Sequence, residues 1–363
     1  MRGRLSTCLS IFAVMALSNA VVPLLPSYGG GGAVRGLIYA AYFFGAFALT
    51  LPSGILSDRF GTGTMMRSGL GITIPAGVIL WISSDPLLVI AARLIEGIGA
   101  GLFVPAAMAY INSLRDHEVM SGYYMASLNA GLVIGLVLSG FLAVYLPGIT
   151  GIAVFAAACV LAFLLSFSRK DNGPTLKETD RHATLLSLVA KDRYLWYSAI
   201  VLIGITGVVT SLYPAFSPLG PDIDSLWIAA MTVGTILSSL AISRMALPPI
   251  PALRMSGIVM AGGVFLLLFS PAGFLIIGAA AGVAMIAQMG FLAHAGADQG
   301  IMMGLYSTTS YFGMGLLPAL SGVIADKGGY FITFCIFSLA ALSVAVTIGR
   351  CRCEAEAAAG GTG

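Results

Sequence analysis

Apolar residues occur along the chain in runs of about 20, separated by short polar connections. A helix of about 20 apolar residues is long enough to cross a hydrocarbon core of roughly 30 Å. The pattern therefore predicts membrane-spanning helices and an all-α integral membrane fold. Twelve spans are predicted, at residues 5–26, 35–57, 66–84, 86–112, 121–146, 149–168, 194–217, 224–246, 252–270, 272–295, 299–325 and 329–350.

One long polar segment divides the predicted spans into two groups of six. It carries six Lys and Arg residues and has no apolar run long enough to cross a membrane. The predicted organisation is an N-terminal six-helix bundle (1–168), a cytoplasmic linker (169–193), a C-terminal six-helix bundle (194–350) and a cytoplasmic tail (351–363).

Composition supports a membrane protein and excludes several classes of soluble protein. Of the 363 residues, 58% are hydrophobic and 9% are charged, and the mean hydropathy is +0.97. Soluble domains carry about 25% charged residues, so this chain cannot cover a water-facing surface. The net charge of +3 gives no reason to expect a nucleic-acid partner. The five cysteines show no disulfide pattern and no metal-ligand spacing, so no metal site is predicted.

The distribution of basic residues orients the predicted helices. Cytoplasmic loops of membrane proteins are enriched in Lys and Arg. With both termini in the cytoplasm, 15 of the 18 Lys and Arg residues fall inside. Only Arg35 and Lys327 fall outside, and Arg93 lies within the membrane. We therefore predict cytoplasmic termini and a multi-pass position in the cell membrane.

The two halves of the chain contain a repeated sequence. "GYYMASLNAGLVIGLVLSGFLA" (122–143) and "GLYSTTSYFGMGLLPALSGVIA" (304–325) align without gaps at a constant offset of 182 residues. Each is the fifth span of its half. Two six-span halves related by duplication resemble the architecture of the major facilitator transporters, whose substrate site lies between the halves near mid-membrane. A chance similarity between two apolar helices is the alternative.

The connection between spans 2 and 3 carries a charged motif, "GILSDRFG" (54–61). It resembles the major facilitator signature G-x-L-x-D-R-x-G. The resemblance implies a cytoplasmic latch between the halves, in which Asp58 faces the partly positive N-terminal end of span 11. The basic pair that usually follows the last glycine is missing, and a plain charged turn is the alternative. The residues assigned to this latch are Gly54, Asp58, Arg59, Gly61, Arg67 and Arg115.

A second copy of this pattern, "GVIADKGG" (322–329), follows span 11. The predicted orientation puts this segment, called here the outer turn, on the outer side of the membrane. Spans 2 and 11 occupy related positions in the inverted three-helix repeats of such transporters. We expect the outer turn to be a relic of that repeat without a latch role.

Span 4 carries two charges within its apolar sequence, Arg93 and Glu96. A spacing of three puts both side chains on one face of a helix, close enough to pair. Gly97 and Gly101 form a small-xxx-small step that suits close helix packing. The segment resembles the family's span-4 signature, R-x-x-Q-G-x-G followed by a proline (here Pro105), except that a glutamate replaces the usual glutamine. In that family the arginine is associated with proton transfer.

The cost of a buried charge gives this pair its predicted role. A charge at the bilayer centre costs at least ~2.5 kcal/mol, so such residues face a wet cavity or a partner. Burial favours the neutral form of a carboxyl group, whereas a neighbouring arginine favours the charged form. We predict that Glu96 binds the coupling proton and that Arg93 tunes its affinity. The alternative is a permanent ion pair that only fixes helix packing.

Span 5 has a third resemblance to the family, to the antiporter signature G-x-x-x-G-P-x-x-G-G. Gly131, Gly135 and Gly140 match it, and Ser139 replaces a glycine. The proline is missing from span 5, but Pro318 stands at the equivalent position in the repeat. We expect these small residues to bring span 5 close to span 8 or span 11 and to seal the cavity. Ordinary glycine-rich packing is the alternative.

Taken together, the sequence predicts a secondary active transporter of a small molecule that works by alternating access. We predict proton-coupled efflux, with proton-coupled import as the alternative and a non-transporting sensor or enzyme on the same scaffold as a third. Acidic residues are scattered over several loops, and no phosphate-binding glycine loop occurs, which argues against an enzyme and an ATP-driven pump.

The expected partners follow from the same interpretation. We expect a small-molecule substrate and the lipid bilayer, no nucleic acid, a monomeric chain, and no cofactor other than the proton gradient as driving force. Several polar residues fall inside predicted spans, where they either line a cavity or bond neighbouring helices. The candidates for the cavity are Asn19, Asn129, Tyr213, Gln288 and Tyr306.

Overall fold

The computed structural model describes most of the chain. It covers residues 2–114, 117–146, 149–167, 193–243, 245, 247–293 and 299–350. Nearly all of the predicted central linker and the whole predicted tail lie outside the described residues, and so does Arg115 of the predicted latch.

Within these ranges the regular structure is helical, and no strand occurs among the described residues. The first helix continues through Val21 into a 3₁₀ segment, Val22–Tyr28, where two prolines remove backbone donors. The α-helices are α1 (Arg2–Ala20), α2 (Gly32–Phe60), α3 (Thr62–Ile82), α4 (Pro86–Asn112), α5 (His117–Tyr145), α6 (Thr150–Ser166), α7 (Arg193–Phe216), α8 (Pro221–Ile242), α9 (Pro249–Leu266), α10 (Gly273–Ala293) and α11 (Gln299–Thr347).

Ten helices of the described part are long and apolar enough to cross a membrane, and α6 is a shorter apolar helix. The last of the ten covers 44 residues, Gly304–Thr347, and is not continuous. Gly329 within it has φ 78° and ψ 167°, which ends one helical segment (α11a, 299–328) and begins another (α11b, 330–347). Glycine adopts this region because it has no Cβ to clash. The break falls on the first residue of the last predicted span (329–350).

The helices of each half of the chain pack mainly on one another. In the first half, α4 packs on α2 and α3, while α1 packs on α5 and α6. In the second half, α10 packs on α8 and α9, and the two parts of α11 pack on α7 and α9. The principal contacts between the halves are α2 with α11 and α5 with α8. Large apolar side chains are exposed on the surface, among them Leu164 and Leu237, which suits a lipid surround.

Glycines set how closely α2 and α4 approach. A Cβ added at Gly97 would overlap the carbonyl group of Tyr42, and one at Gly45 would overlap the carbonyl group of Leu94. Gly101 lies next, with the carbonyl oxygen of Ala46 at 2.8 Å from an added Cβ. The backbones of α2 and α4 are therefore in contact, and α4 remains helical through Pro105 up to residue 112.

The small residues of α5 pack against two neighbouring helices, α1 and α8. An added Cβ at Gly131 or Gly135 would meet backbone of α1, whereas one at Gly140 would meet Ser225 and the backbone at the start of α8. Ser139 Oγ donates a hydrogen bond to the Ala20 carbonyl oxygen at 2.6 Å. Among the small residues of this motif, the one at its C-terminal end, Gly140, lies against α8.

Pro318 belongs to a separate contact. It lies in α11a, where its carbonyl group leaves no room for a Cβ at Gly36 of α2. Its ring Cγ is 3.0 Å from the position of a Cβ at Gly207 of α7. Pro318 therefore fills the space between two helices on either side of α11a.

Gly97→Ala should lower the free energy of unfolding by ~1–3 kcal/mol, because the new methyl group must displace the α2 backbone. Gly262→Ala is the matched control, since nothing lies within 4 Å of a Cβ at that helical position. Thermal unfolding of both variants in the same detergent measures the difference. Equal unfolding temperatures would contradict the close contact of α2 with α4.

Candidate functional site

Arg93 and Glu96 form an ion pair one helical turn apart on α4. Arg93 Nη1 lies 2.7 Å from Glu96 Oε2. The exposed fraction is 2% for Arg93 and 0% for Glu96. The predicted pairing is present, and both charges are removed from the surface of the protein.

Two further groups support the guanidinium. Arg93 Nη1 also donates to the Ser18 carbonyl oxygen at 3.0 Å, which links α4 to α1. The guanidinium carbon lies 4.7 Å from the ring centre of Tyr42 on α2, a cation–π arrangement. The arginine is therefore held by a carboxylate, a carbonyl group and an aromatic face. Together these offset part of the cost of burying its charge.

One carboxylate oxygen of the pair is unused. Glu96 Oε1 is buried and has no hydrogen-bond partner among the described residues. A protonated carboxyl group keeps acceptor capacity on one oxygen while it carries the proton on the other. Glu96 can therefore bind a proton on Oε1 and still accept the hydrogen bond of Arg93 on Oε2.

A cavity of about 400 Å³ lies between the two halves. Helices α1, α2, α4 and α5 line it from one side, and α7, α8, α10 and α11 line it from the other. Most of the lining is apolar, aromatic or hydroxyl-bearing. The aromatic and methionine residues that line it are Tyr39, Tyr42, Phe43, Tyr311, Met15, Met231, Met285 and Met314.

Arg93 is the one charged side chain among the described residues that line this cavity. Glu96 does not line it and lies behind the arginine, packed within the protein. Arg93 therefore contacts both the cavity and the carboxylate. A change of charge at Glu96 changes the charge balance of the one guanidinium that lines the cavity.

Two of the predicted cavity residues line this cavity, Asn19 and Asn129. Asn19 Nδ2 donates to the Leu132 carbonyl oxygen at 3.0 Å and so bonds α1 to α5. Asn129 Nδ2 donates to the Met125 carbonyl oxygen of its own helix at 2.8 Å. No described residue donates a hydrogen bond to the amide oxygen of Asn19 or Asn129. Both oxygens can therefore accept one from a ligand.

The other three lie elsewhere in the second half of the chain. Tyr306 OH donates to Gln288 Oε1 at 3.1 Å, and Gln288 Nε2 donates to Ser198 Oγ at 3.1 Å. Tyr213 packs edge to face on Phe274, with ring centres 4.8 Å apart. None of the three is among the residues that line the cavity. They bond and pack helices α7, α10 and α11 together.

The predicted cytoplasmic latch is described only in part. Gly54, Asp58 and Arg59 lie in the last turns of α2, but the side chain of Asp58 is outside the described residues. Gly61, with φ 85°, makes the turn into α3. Arg67 lies over the Phe167 ring at 5.2 Å, between α3 and the end of α6. The role of this segment stays a prediction.

Several lining residues were missed by the sequence analysis, although two signals point to them. Tyr39, Tyr42 and Phe43 are spaced three and four residues apart, which is one face of a helix. Tyr311 is the counterpart of Asn129 at the repeat offset of 182 residues, and both line the cavity. A search for helical faces and repeat partners would have found them.

Comparison with known proteins places this architecture in a family. Residues 5–314 match the Major Facilitator Superfamily. Multidrug resistance protein 2 of Bacillus subtilis (strain 168) is 23% identical over 351 residues, which cover 87% of each chain. The quinolone resistance protein NorA of Staphylococcus aureus is 26% identical over 166 residues, 42% of this chain and 43% of NorA. The solved structure of the nucleoside transporter NupG superposes with a TM-score of 0.78 at 14% identity, covering 97% of this chain and 99% of NupG.

Removing one member of the ion pair should destabilise the protein more than removing both. Arg93→Gln leaves the Glu96 carboxylate buried without its partner, and such a change costs ~3 kcal/mol or more. The double variant, Arg93→Gln with Glu96→Gln, should recover most of this loss because no buried charge remains. Unfolding temperatures of both single variants and the double variant in one detergent measure the coupling. Additive losses would show that the pair is not coupled.

Proposed function

The chain belongs to the major facilitator superfamily, and we propose that it exports an amphipathic small molecule in exchange for protons. It is a multi-pass transporter of the cell membrane, as the family and the relatives are. The observation that carries the proposal is the position of Arg93 on the wall of the central cavity with Glu96 sealed behind it.

The direction of transport is supported by the relatives. Multidrug resistance protein 2 and NorA are both named for resistance to toxic compounds. Export is the simplest way in which a transporter confers resistance. The first of these covers 87% of both chains, so the similarity extends over both halves.

The topology proposed is twelve spans with both termini in the cytoplasm. The break of α11 at Gly329 supports two spans there in place of one. The short helix α6 supplies the remaining one. Two six-helix bundles, 1–168 and 194–350, then face each other across the cavity, and rocking of one against the other exposes it alternately to each side.

The cavity lining supports a substrate with an aromatic or otherwise apolar body and a small polar part. Its volume of about 400 Å³ falls within the ~300–1,000 Å³ typical of small-molecule sites. Methionine side chains adapt to ligands of different shape, and aromatic rings offer flat apolar faces. Asn19 and Asn129 offer amide groups to a polar substituent.

Exchange requires that proton and substrate weaken each other's binding, and Tyr42 provides a shared surface. When Glu96 is protonated, its attraction for Arg93 weakens, and the guanidinium rests on the Tyr42 ring and covers it. A substrate that stacks on Tyr42 takes the ring from the guanidinium, which then depends on its 2.7 Å contact with Glu96 Oε2 to balance its charge. That dependence favours the charged carboxylate, and the proton leaves. This order of events gives antiport.

Proton-coupled import is the second candidate. The fold is shared with NupG, a nucleoside transporter. In import, proton and substrate strengthen each other's binding, which the Arg93 guanidinium can provide for an acidic substrate once Glu96 is neutral. The sign of the coupling therefore separates the two candidates.

Inside-out vesicles with an acid interior should lose their pH gradient when a transported compound is added, because each substrate molecule taken up releases protons. A pH-sensitive dye follows this loss for a panel of lipophilic cations, amino acids, sugars and small acids. Glu96→Gln should abolish it, since an amide binds no proton. Asp85→Asn is the matched control, because this exposed helix cap can be replaced by Asn at little cost.

Three outcomes are informative. Loss of the gradient with the parent and Asp85→Asn, but not with Glu96→Gln that is present in the vesicles in the same folded amount, supports proton exchange through Glu96. Equal loss with all three proteins makes the ion pair structural. With the opposite gradient, in which the vesicle interior is alkaline, acidification of the interior that requires an added compound would support import.

A further inference from the structure

The outer turn repeats the sequence of the cytoplasmic latch at the end of another helix. "GILSDRFG" ends α2 and "GVIADKGG" ends α11a. Their first glycine, their aspartate, the basic residue after it and their last glycine coincide. The aspartates are Asp58 and Asp326.

The two turns also share their backbone conformation. Gly61 has φ 85° and ψ 144°, and Gly329 has φ 78° and ψ 167°. Both lie in a region that residues with a Cβ rarely adopt. Each glycine ends one helix and begins the next within a single residue. The two turns are therefore similar in structure as well as in sequence.

Asp326 contacts the other half of the molecule. Its carboxylate accepts hydrogen bonds from the backbone N–H groups of Gly32 and Ala33, the latter at 2.8 Å. These groups belong to the first turn of α2, where N–H groups have no partner within the helix and carry a partial positive charge. A carboxylate at the end of α11a thus caps a helix almost 300 residues earlier in the chain.

Glycines make this contact possible. A Cβ at Gly31 would overlap the Asp326 carboxylate, and one at Gly32 would lie 2.9 Å from the Gly322 carbonyl oxygen. Arg35 adds a second polar contact between the halves, since its Nη1 donates to Tyr330 OH at 3.3 Å. The start of α2 and the end of α11a therefore approach backbone to backbone.

We propose that Asp326 is the positioning residue of an outer latch that closes the cavity at this end. The expectation that the outer turn is only a relic is set aside by its contact with α2. Opening the cavity at this end separates α2 from α11a and breaks both hydrogen bonds of Asp326. The strength of this contact sets the fraction of molecules open at this end.

The two latches are reciprocal in this arrangement. The outer latch joins the end of α11a to the start of α2. The predicted cytoplasmic latch joins the end of α2 to the start of α11a. When the cavity is open to one side, the latch on that side is broken and the latch on the other side is kept. The protein therefore alternates between two states. The outer latch rests on the alternating access and the membrane orientation given under the proposed function. It does not depend on the direction of transport or on the coupling ion.

Distances between spin labels at the ends of the two halves test the outer latch. Ser84→Cys and Ser270→Cys, in a cysteine-free background, lie in the loops before α4 and before α10 at this end. Double electron–electron resonance in lipid nanodiscs gives the population of the separated state. Asp326→Ala should raise the ratio of open to closed molecules about five- to tenfold, the usual effect of losing the carboxylate that caps a helix. Asp326→Asn should lie between it and the parent.

Two further variants separate the latch from general effects. Gly31→Ala keeps the charge but pushes the carboxylate from the N–H groups, so it should act in the same direction as Asp326→Ala. Lys327→Gln removes the neighbouring charge and should leave the distances unchanged. Identical distance distributions for the parent, Asp326→Ala and Gly31→Ala would overturn the proposal. The distance measurement needs no substrate and no proton gradient. The proposal of an outer latch can therefore be overturned while proton exchange is supported, and proton exchange can be overturned while the latch is supported.

Discussion

The buried pair of Arg93 and Glu96 is the interaction on which the functional interpretation depends. An unpaired charge in an apolar medium costs several kcal/mol, so each charge of the pair needs groups that compensate for it. The pair survives because α1 supplies a carbonyl group and α2 supplies the Tyr42 ring around the same guanidinium. Three helices of the first half therefore converge on one charged side chain, and that side chain faces the cavity.

This arrangement depends on packing that lets α2 and α4 touch. Gly97 follows Glu96 directly and leaves room for the Tyr42 carbonyl group, which sets the Tyr42 ring near Arg93. The glycine step and the ion pair are thus parts of one contact. The second half of the chain has no matching charge in α10, so the protonation site proposed belongs to one half, whereas the cavity belongs to both.

Much of the architecture could be predicted from the sequence because lipid imposes a simple rule on helix length. The pairing of Arg93 with Glu96 followed from their spacing, and Gly329 breaks α11 at the residue where the last predicted span begins. The position of Tyr42 under the guanidinium and of Glu96 behind it could not be predicted, since both depend on the register between helices. The contact of Asp326 with α2 joins residues almost 300 positions apart, and a single sequence carries no signal for it.

Infrared difference spectroscopy of the purified protein in lipid tests the central claim most directly, because a protonated carboxyl group has a carbonyl stretching band that a carboxylate lacks. Acidification should produce such bands in the parent protein, and the one band that is lost in Glu96→Gln should remain in Asp85→Asn. A transported ligand added at the same pH should reduce the band, as binding expels the proton. Identical bands in the parent protein and in Glu96→Gln, or a Glu96 band that a transported ligand leaves unchanged, would contradict proton binding at Glu96 as the step that couples transport.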